Sequence, residues 1–128
     1  MRLPFESSVV LDAMLVRVKV NGRPAVLIFD TASNATIVSP EVASVDSKPD
    51  VFSVLFPENH SHERAAWATV TLEIGEQVWR GRRVVVQEQR KVSTTFKQRI
   101  DGILGKDVLN EYRTITIDLK HRVIVFSR

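Results

Sequence analysis

The chain has 128 residues, 44% of them hydrophobic and 26% charged, which is the length of one compact domain and apolar enough to bury a core; residues 1–128 are expected to form a single domain. Zero cysteines exclude a disulfide framework, a thiolate nucleophile and a cysteine metal site. The formal charge of +3 is mild, no window approaches the roughly 18–20 apolar residues of a membrane span, and "MRLPFESSVV" lacks the apolar stretch of a signal peptide, so the segment reads as soluble, without nucleic-acid or membrane contact, and compatible with the processed domain of an exported or anchored precursor.

The pattern is mostly β. "MLVRVKV" (14–20) alternates apolar and basic residues, "NG" (21–22) supplies the positive φ angles of a tight hairpin, and "PAVLIF" (24–29) returns as a strand apolar on both faces. "ATIVS" (35–39) reads as a short strand, and "SPEVAS" (39–44) as a helix start with room for a turn or two. "DSKPD" (46–50) is expected to be a loop, "VFSVLF" (51–56) a strand and "PENHSHER" (57–64) an exposed polar tip. "WATVTLEI" (67–74), the turn "GE" and "QVWRGRRVVVQ" (77–87) make a second long hairpin, and "KVSTTFKQR" (91–99) reads as a polar loop. In the last third, Ile103 and Leu104 lie between Gly102 and Gly105, "KDVLNEY" has helical spacing, and two strands follow around "KHR".

Two short strings concentrate the chemistry. "FDTASNAT" (29–36) drives Asp30 to the end of an apolar run and follows it with the small residues Thr31, Ala32 and Ser33. About seventy positions later, glycines flanking an apolar pair mark a place where backbone passes close to backbone.

The block "MLVRVKVNGRPAVLIFDTASNATIVSPEVA" resembles the strand, turn, strand and Asp-Thr/Ser-Gly loop of the retropepsin-like aspartic peptidases. "DGILGKDVLNEYRTITIDLKHRVIVF" is similar to their apolar-apolar-Gly segment, short helix and closing strands, and the nearest pattern is that of the DNA-damage-inducible and bacterial single-domain relatives. The resemblance covers about residues 3–126, essentially the whole chain. The resemblance implies an all-β, small closed-barrel-like fold with one short C-terminal helix, acting as an aspartic endopeptidase without metal or cofactor. Such peptidases use one carboxylate to activate water and a second, protonated carboxyl to polarise the scissile carbonyl. This chain carries one such loop, so the resemblance implies a homodimer in which two Asp30 carboxyls meet across a two-fold axis, cutting extended peptides or proteins at acidic to near-neutral pH. Thr31 would then bond across the dimer beneath the pair, Ala32 and Ser33 would line the cleft, Ile103 and Leu104 would pack in or beside it, and Gly105 would allow the loops to cross. The hairpin with its tip near residues 57–66 would be the flap.

The chain departs from that pattern in three places. Ala32 stands where the family has glycine, the flap tip has no glycine, and Lys106 replaces a frequent Arg, with Asn34 as its expected neighbour. The alternative readings are a catalytically weak or silent peptide-binding or dimerisation module, and a β-barrel using "RGRR" (80–83) for anionic partners. Asp101 is expected in a turn or at the surface, and Asp118 in a turn or pointing out from a strand. His60 and His62, with Glu63 and His121 as conceivable partners, have metal-ligand spacing but read as a solvated loop. Trp67 and Trp79 are expected to pack in the strands of the hairpin.

Overall fold

A computed structural model describes residues 1–8, 10, 12–43, 51–56 and 61–128, with 51–56 and 61–64 as backbone only. Alternation in "MLVRVKV" makes β2 (Met14–Val20), burying Leu15, Val16, Val18 and Val20. Asn21 and Gly22 take φ of 51° and 79°, the left-handed pair of a type I′ turn, and lead into β3 (Arg23–Phe29). The same turn fastens the barrel. Asn21 Oδ1 accepts from Thr71 N at 2.9 Å and Asn21 N donates to Thr71 O at 2.8 Å, where β2 meets β6 (Ser61–Ile74).

Six strands close a ring. β2 pairs with β3, β3 with β8 (Gly102–Leu104), β8 with β4 (Ile37–Val38), β4 with β7 (Gln77–Val86), β7 with β6, and β6 returns to β2. The β3–β8 and β4–β7 pairs are parallel and the others antiparallel, so two crossovers meet where β8 lies between β3 and β4. Outside the ring, β5 (Val51–Phe56) forms a hairpin with the first part of β6. At the other end β1 (Arg2–Ser7) pairs with β2 and then with β10 (Val123–Ser127), which pairs with β9 (Thr114–Asp118). The barrel interior is filled by Val16, Val20, Leu27, Val38, Leu72, Val84 and Leu104, with Ile124 and Phe126 packed on from β10.

The structure corrects the sequence expectations in five places, and the first is that β6 already begins at Ser61, inside the stretch 57–64 expected as an exposed polar tip. A first helix, α1 (Arg90–Phe96), replaces the expected loop at 91–99, so two short helices exist among the described residues, the second being α2 (Lys106–Leu109). Its polar residues bond to the helix's own backbone, Thr94 Oγ1 to Arg90 O and Thr95 Oγ1 to Lys91 O, both at 3.0 Å. Phe96 anchors it in a second small core with Leu15 and Ile100. β1 appears where no strand is expected, its burial alternating through Leu3 and Phe5. The strand expected at 35–39 is only two residues long, and 39–43 makes a single turn in which Val42 and Ala43 donate to Ser39 O. Asp101 is 3% exposed, which overturns the turn or surface role.

Candidate active site

Asp30 is the first residue beyond β3 and is half-buried. Its N–H donates to Leu104 O at 3.1 Å, so the parallel ladder between β3 and β8 holds its backbone. Its Oδ1 accepts from Ala32 N at 2.8 Å, an Asx turn that fixes the carboxylate against its own loop while the loop remains outward. Thr31 and Ala32 are exposed. The described non-glycine residues with positive φ are Asn21, Lys97 and Arg122, so the methyl of Ala32 sits on an ordinary backbone conformation.

The loop is fastened to the glycine segment by further bonds. Ser33 O accepts from Lys106 N at 2.7 Å, while Ser33 Oγ donates to Ala35 O at 2.8 Å. Thr36 Oγ1 accepts from Gly105 N at 3.0 Å and donates to Asp107 Oδ1 at 2.7 Å. A Cβ on Gly105 would lie 2.4 Å from Ala35 O, and one on Gly102 would lie 1.8 Å from Ile37 O. Both glycines are therefore steric requirements of the crossing, as the flanked apolar pair implies. Ile103 is half-buried, whereas Leu104 has no exposed surface and belongs to the main core.

Thr36 and Asp107 are the members of this network that sequence reasoning missed. The one available signal was a hydroxyl inside the apolar run "ATIV", at a position now 0% exposed. Lys106 meets the loop through its backbone, at Ser33. From the opposite wall Arg82 donates to Asp107 O and, at 2.8 Å, to Glu111 Oε2, holding α2 against β7.

Asp101 belongs to the other end of the same strands. It stands beside Val26, four positions before Asp30 in the register and so about 13 Å away along the strand. Its carboxylate accepts from Val26 N at 2.9 Å and from Arg99 Nε at 2.7 Å, and this bond holds the Arg99 guanidinium above its ordinary value. Asp118 accepts from His121 N at 3.0 Å and lies 2.8 Å from His121 Nδ1, the turn-forming role; these contacts hold its carboxyl below the usual range. His60 and the side chains of His62 and Glu63 fall outside the described residues, and no group of three metal-ligating side chains occurs among those described. Trp67 lies under Arg83 at 4.6 Å, and Trp79 packs edge-on to Tyr112.

A model of the aspartyl protease family matches residues 16–108, from within β2 through the Asp30 loop and into α2. The chain belongs to the aspartyl protease family. Comparison of the sequence with curated proteins finds no match. Among solved structures, a retropepsin-like aspartic protease from Rickettsia conorii is similar over 98% of this chain and 88% of that one, with a TM-score of 0.67 at 15% identity. EIAV protease complexed with the inhibitor HBY-793 is similar over 76% of this chain and 85% of that one, with a TM-score of 0.55 at 14% identity. The fold of this aspartyl protease family member is thus retropepsin-like: a closed six-stranded barrel with short helices. No helix among its described residues is long and apolar enough to cross a membrane. Surface cavities of about 340 Å³ beside Arg17 and Val78 and about 170 Å³ beside Asp101 do not include Asp30.

Proposed function

We propose that residues 1–128 act as one domain of a homodimeric aspartic endopeptidase, in which Asp30 from each copy forms the catalytic pair. The observation that carries this reading is the Asp30 loop itself. One carboxylate is held by its own loop at Ala32 N, beside outward-facing Thr31 and Ala32, over a glycine crossing that keeps bulk away. A single carboxylate cannot be base and acid in the same step. Two of them sharing one proton can, because close carboxylates do not both ionise.

In the reaction, the ionised Asp30 takes a proton from a water that attacks the scissile carbonyl carbon. The protonated Asp30 of the other copy donates to the carbonyl oxygen; as the C–N bond breaks, the proton gained by the first passes to the leaving amine and the second takes back one hydroxyl proton of the gem-diol, which leaves a carboxylic acid and restores the singly protonated pair. The extended substrate lies as an added strand between the β5–β6 hairpin and the loop residues Thr31, Ala32 and Ser33, while Ile103, Leu104 and Gly105 support that loop from beneath. No metal or cofactor enters any step. The negative φ available to Ala32 supports catalysis despite the missing glycine.

Asp30→Asn keeps the shape of a half-exposed side chain and removes its charge. Cleavage of a peptide library by the purified variant should fall about 10³-fold or more, with circular dichroism and sedimentation unchanged. A variant that cuts at the wild-type rate would overturn the assignment.

A further inference from the structure

β7 changes face part-way along its length. Val70 pairs with Arg82 but Leu72 with Trp79, so β7 carries one residue more than β6 between those two pairs. Gly81 lies in that interval with φ of 68°, the left-handed backbone of a glycine bulge. A Cβ there would meet nothing within 4 Å among the described residues, so backbone conformation and not space calls for the glycine. Side chains on a strand alternate, and an inserted residue moves those that follow to the opposite face. Trp79 packs against the main core before the bulge, and Val84 and Val86 belong to that core after it. Arg82 therefore lies on the core side and is half-buried, where an unbroken strand would put it outside with the exposed Val78 and Arg80.

A cation turned inward needs partners, and Arg82 finds them at the far end of α2. That helix has four residues, so its carbonyls depend on donors beyond it. Lys106 O, Val108 O and Leu109 O accept from the backbone of Asn110, Glu111 and Tyr112. Asp107 O accepts from Arg82 Nη2, while Arg82 Nη1 donates to Glu111 Oε2 at 2.8 Å. One planar guanidinium thus ties a helix carbonyl and a carboxylate together, which a single ammonium reproduces poorly. The near end of α2 is bound to the loop after Asp30, through Lys106 N to Ser33 O, Gly105 N to Thr36 Oγ1 and Thr36 Oγ1 to Asp107 Oδ1. Asp30 N itself is held by Leu104 O, one residue before Gly105. α2 is a short strut between β7 and the loop, and Arg82 fixes its outer end.

Resting on the paired-carboxylate reading above, we infer that Arg82 is a positioning residue for the reaction: turned inward by the Gly81 bulge, it holds α2 and, through α2, the loop that sets the spacing of the two Asp30 carboxyls. Spacing matters twice. A misplacement of about 1 Å in a reacting group costs about a hundredfold in rate. Close carboxyls also push their two pKa values apart, and cleavage needs the singly protonated pair, so the rate follows a bell in pH whose width is that splitting. A loosened loop weakens the coupling, which raises the lower value, reduces the upper one and narrows the bell from both sides. A contact that only stabilises the fold changes the melting temperature and leaves that width alone.

The test compares variants on a peptide that the wild type cuts. Arg82→Gln removes the guanidinium and keeps much of the stem. It should retain the circular dichroism of the wild type, lower kcat at least about tenfold with KM within about twofold, and narrow the pH profile of kcat/KM by about half a unit or more. Arg82→Lys, which keeps the charge but not the fork, should fall between the two. Arg17→Gln, which removes an exposed ion pair with Glu6, should match the wild type in rate and width. Hydrogen exchange at the Gly105 and Lys106 amides should quicken in Arg82→Gln. A wild-type kcat or a bell of wild-type width in Arg82→Gln, or in Arg82→Lys if the glutamine variant does not fold, with Asp30→Asn inactive, overturns this inference and leaves the paired-carboxylate reading standing. No Asp30-dependent cleavage by the wild type overturns the peptidase reading; faster exchange at Gly105 and Lys106 then upholds the hold of Arg82 on the loop, and unchanged exchange overturns that hold as well.

Discussion

Thr36 has no exposed surface, and its hydroxyl is both the acceptor for Gly105 N and the donor to Asp107 Oδ1. Thr36→Val keeps the shape and leaves a buried N–H without its acceptor. We expect a loss of about 2–3 kcal/mol in chemical denaturation, while Thr36→Ser, which keeps the hydroxyl, should recover most of it. An unchanged midpoint for Thr36→Val would show that the crossing is held by backbone bonds alone. At this scale the place of Asp30 at the end of a buried strand and the close approach at the two glycines were legible from the sequence because the signals are local: a carboxylate among small residues, and an apolar pair between glycines. Thr36, Asp107 and Asp101 were not. Each depends on a partner brought in by the parallel β3–β8 or antiparallel β4–β8 pairing, 71 positions away for the Thr36 bond to Asp107 and 75 for Asp101 to Val26.

Among the elements, β2, β3, β5, β6, β7, β9 and β10 follow period-2 patterning or turn signals, and the NG hairpin takes the backbone that its two residues favour. α1 was hidden because its serine and threonines read as loop, whereas their hydroxyls bond within the helix or, from Ser93, to Ile100. β1 was hidden because a six-residue strand containing Pro4 carries little signal until β2 and β10 are present to pair with it. α1 ends at Lys97, with φ of 54° and its N–H donating to Thr94 O. Left-handed backbone favours glycine, so Lys97→Gly should raise stability by about 0.5–1 kcal/mol in the same denaturation assay. A lowered midpoint would mean that the Lys97 side chain contributes more than its backbone conformation costs.

At the scale of the whole molecule, the ring β2–β3–β8–β4–β7–β6 makes a closed wall with Asp30 at the end of one strand. The all-β class was legible from the strand and turn patterns, and the barrel only from the family resemblance that the two small-residue strings carry. The proposed pairing of two copies rests on something else, the single Asp-Thr-small loop that each chain carries. The central claim is that each catalytic unit takes Asp30 from two copies. Subunit mixing tests it most directly: wild-type protein and Asp30→Asn are combined in equal amounts, allowed to exchange, and assayed against wild type at the same total concentration. Random pairing leaves two intact carboxyls in about a quarter of the dimers, so activity should fall to about a quarter. A fall to only about half, the value for chains that each work alone, would contradict the account.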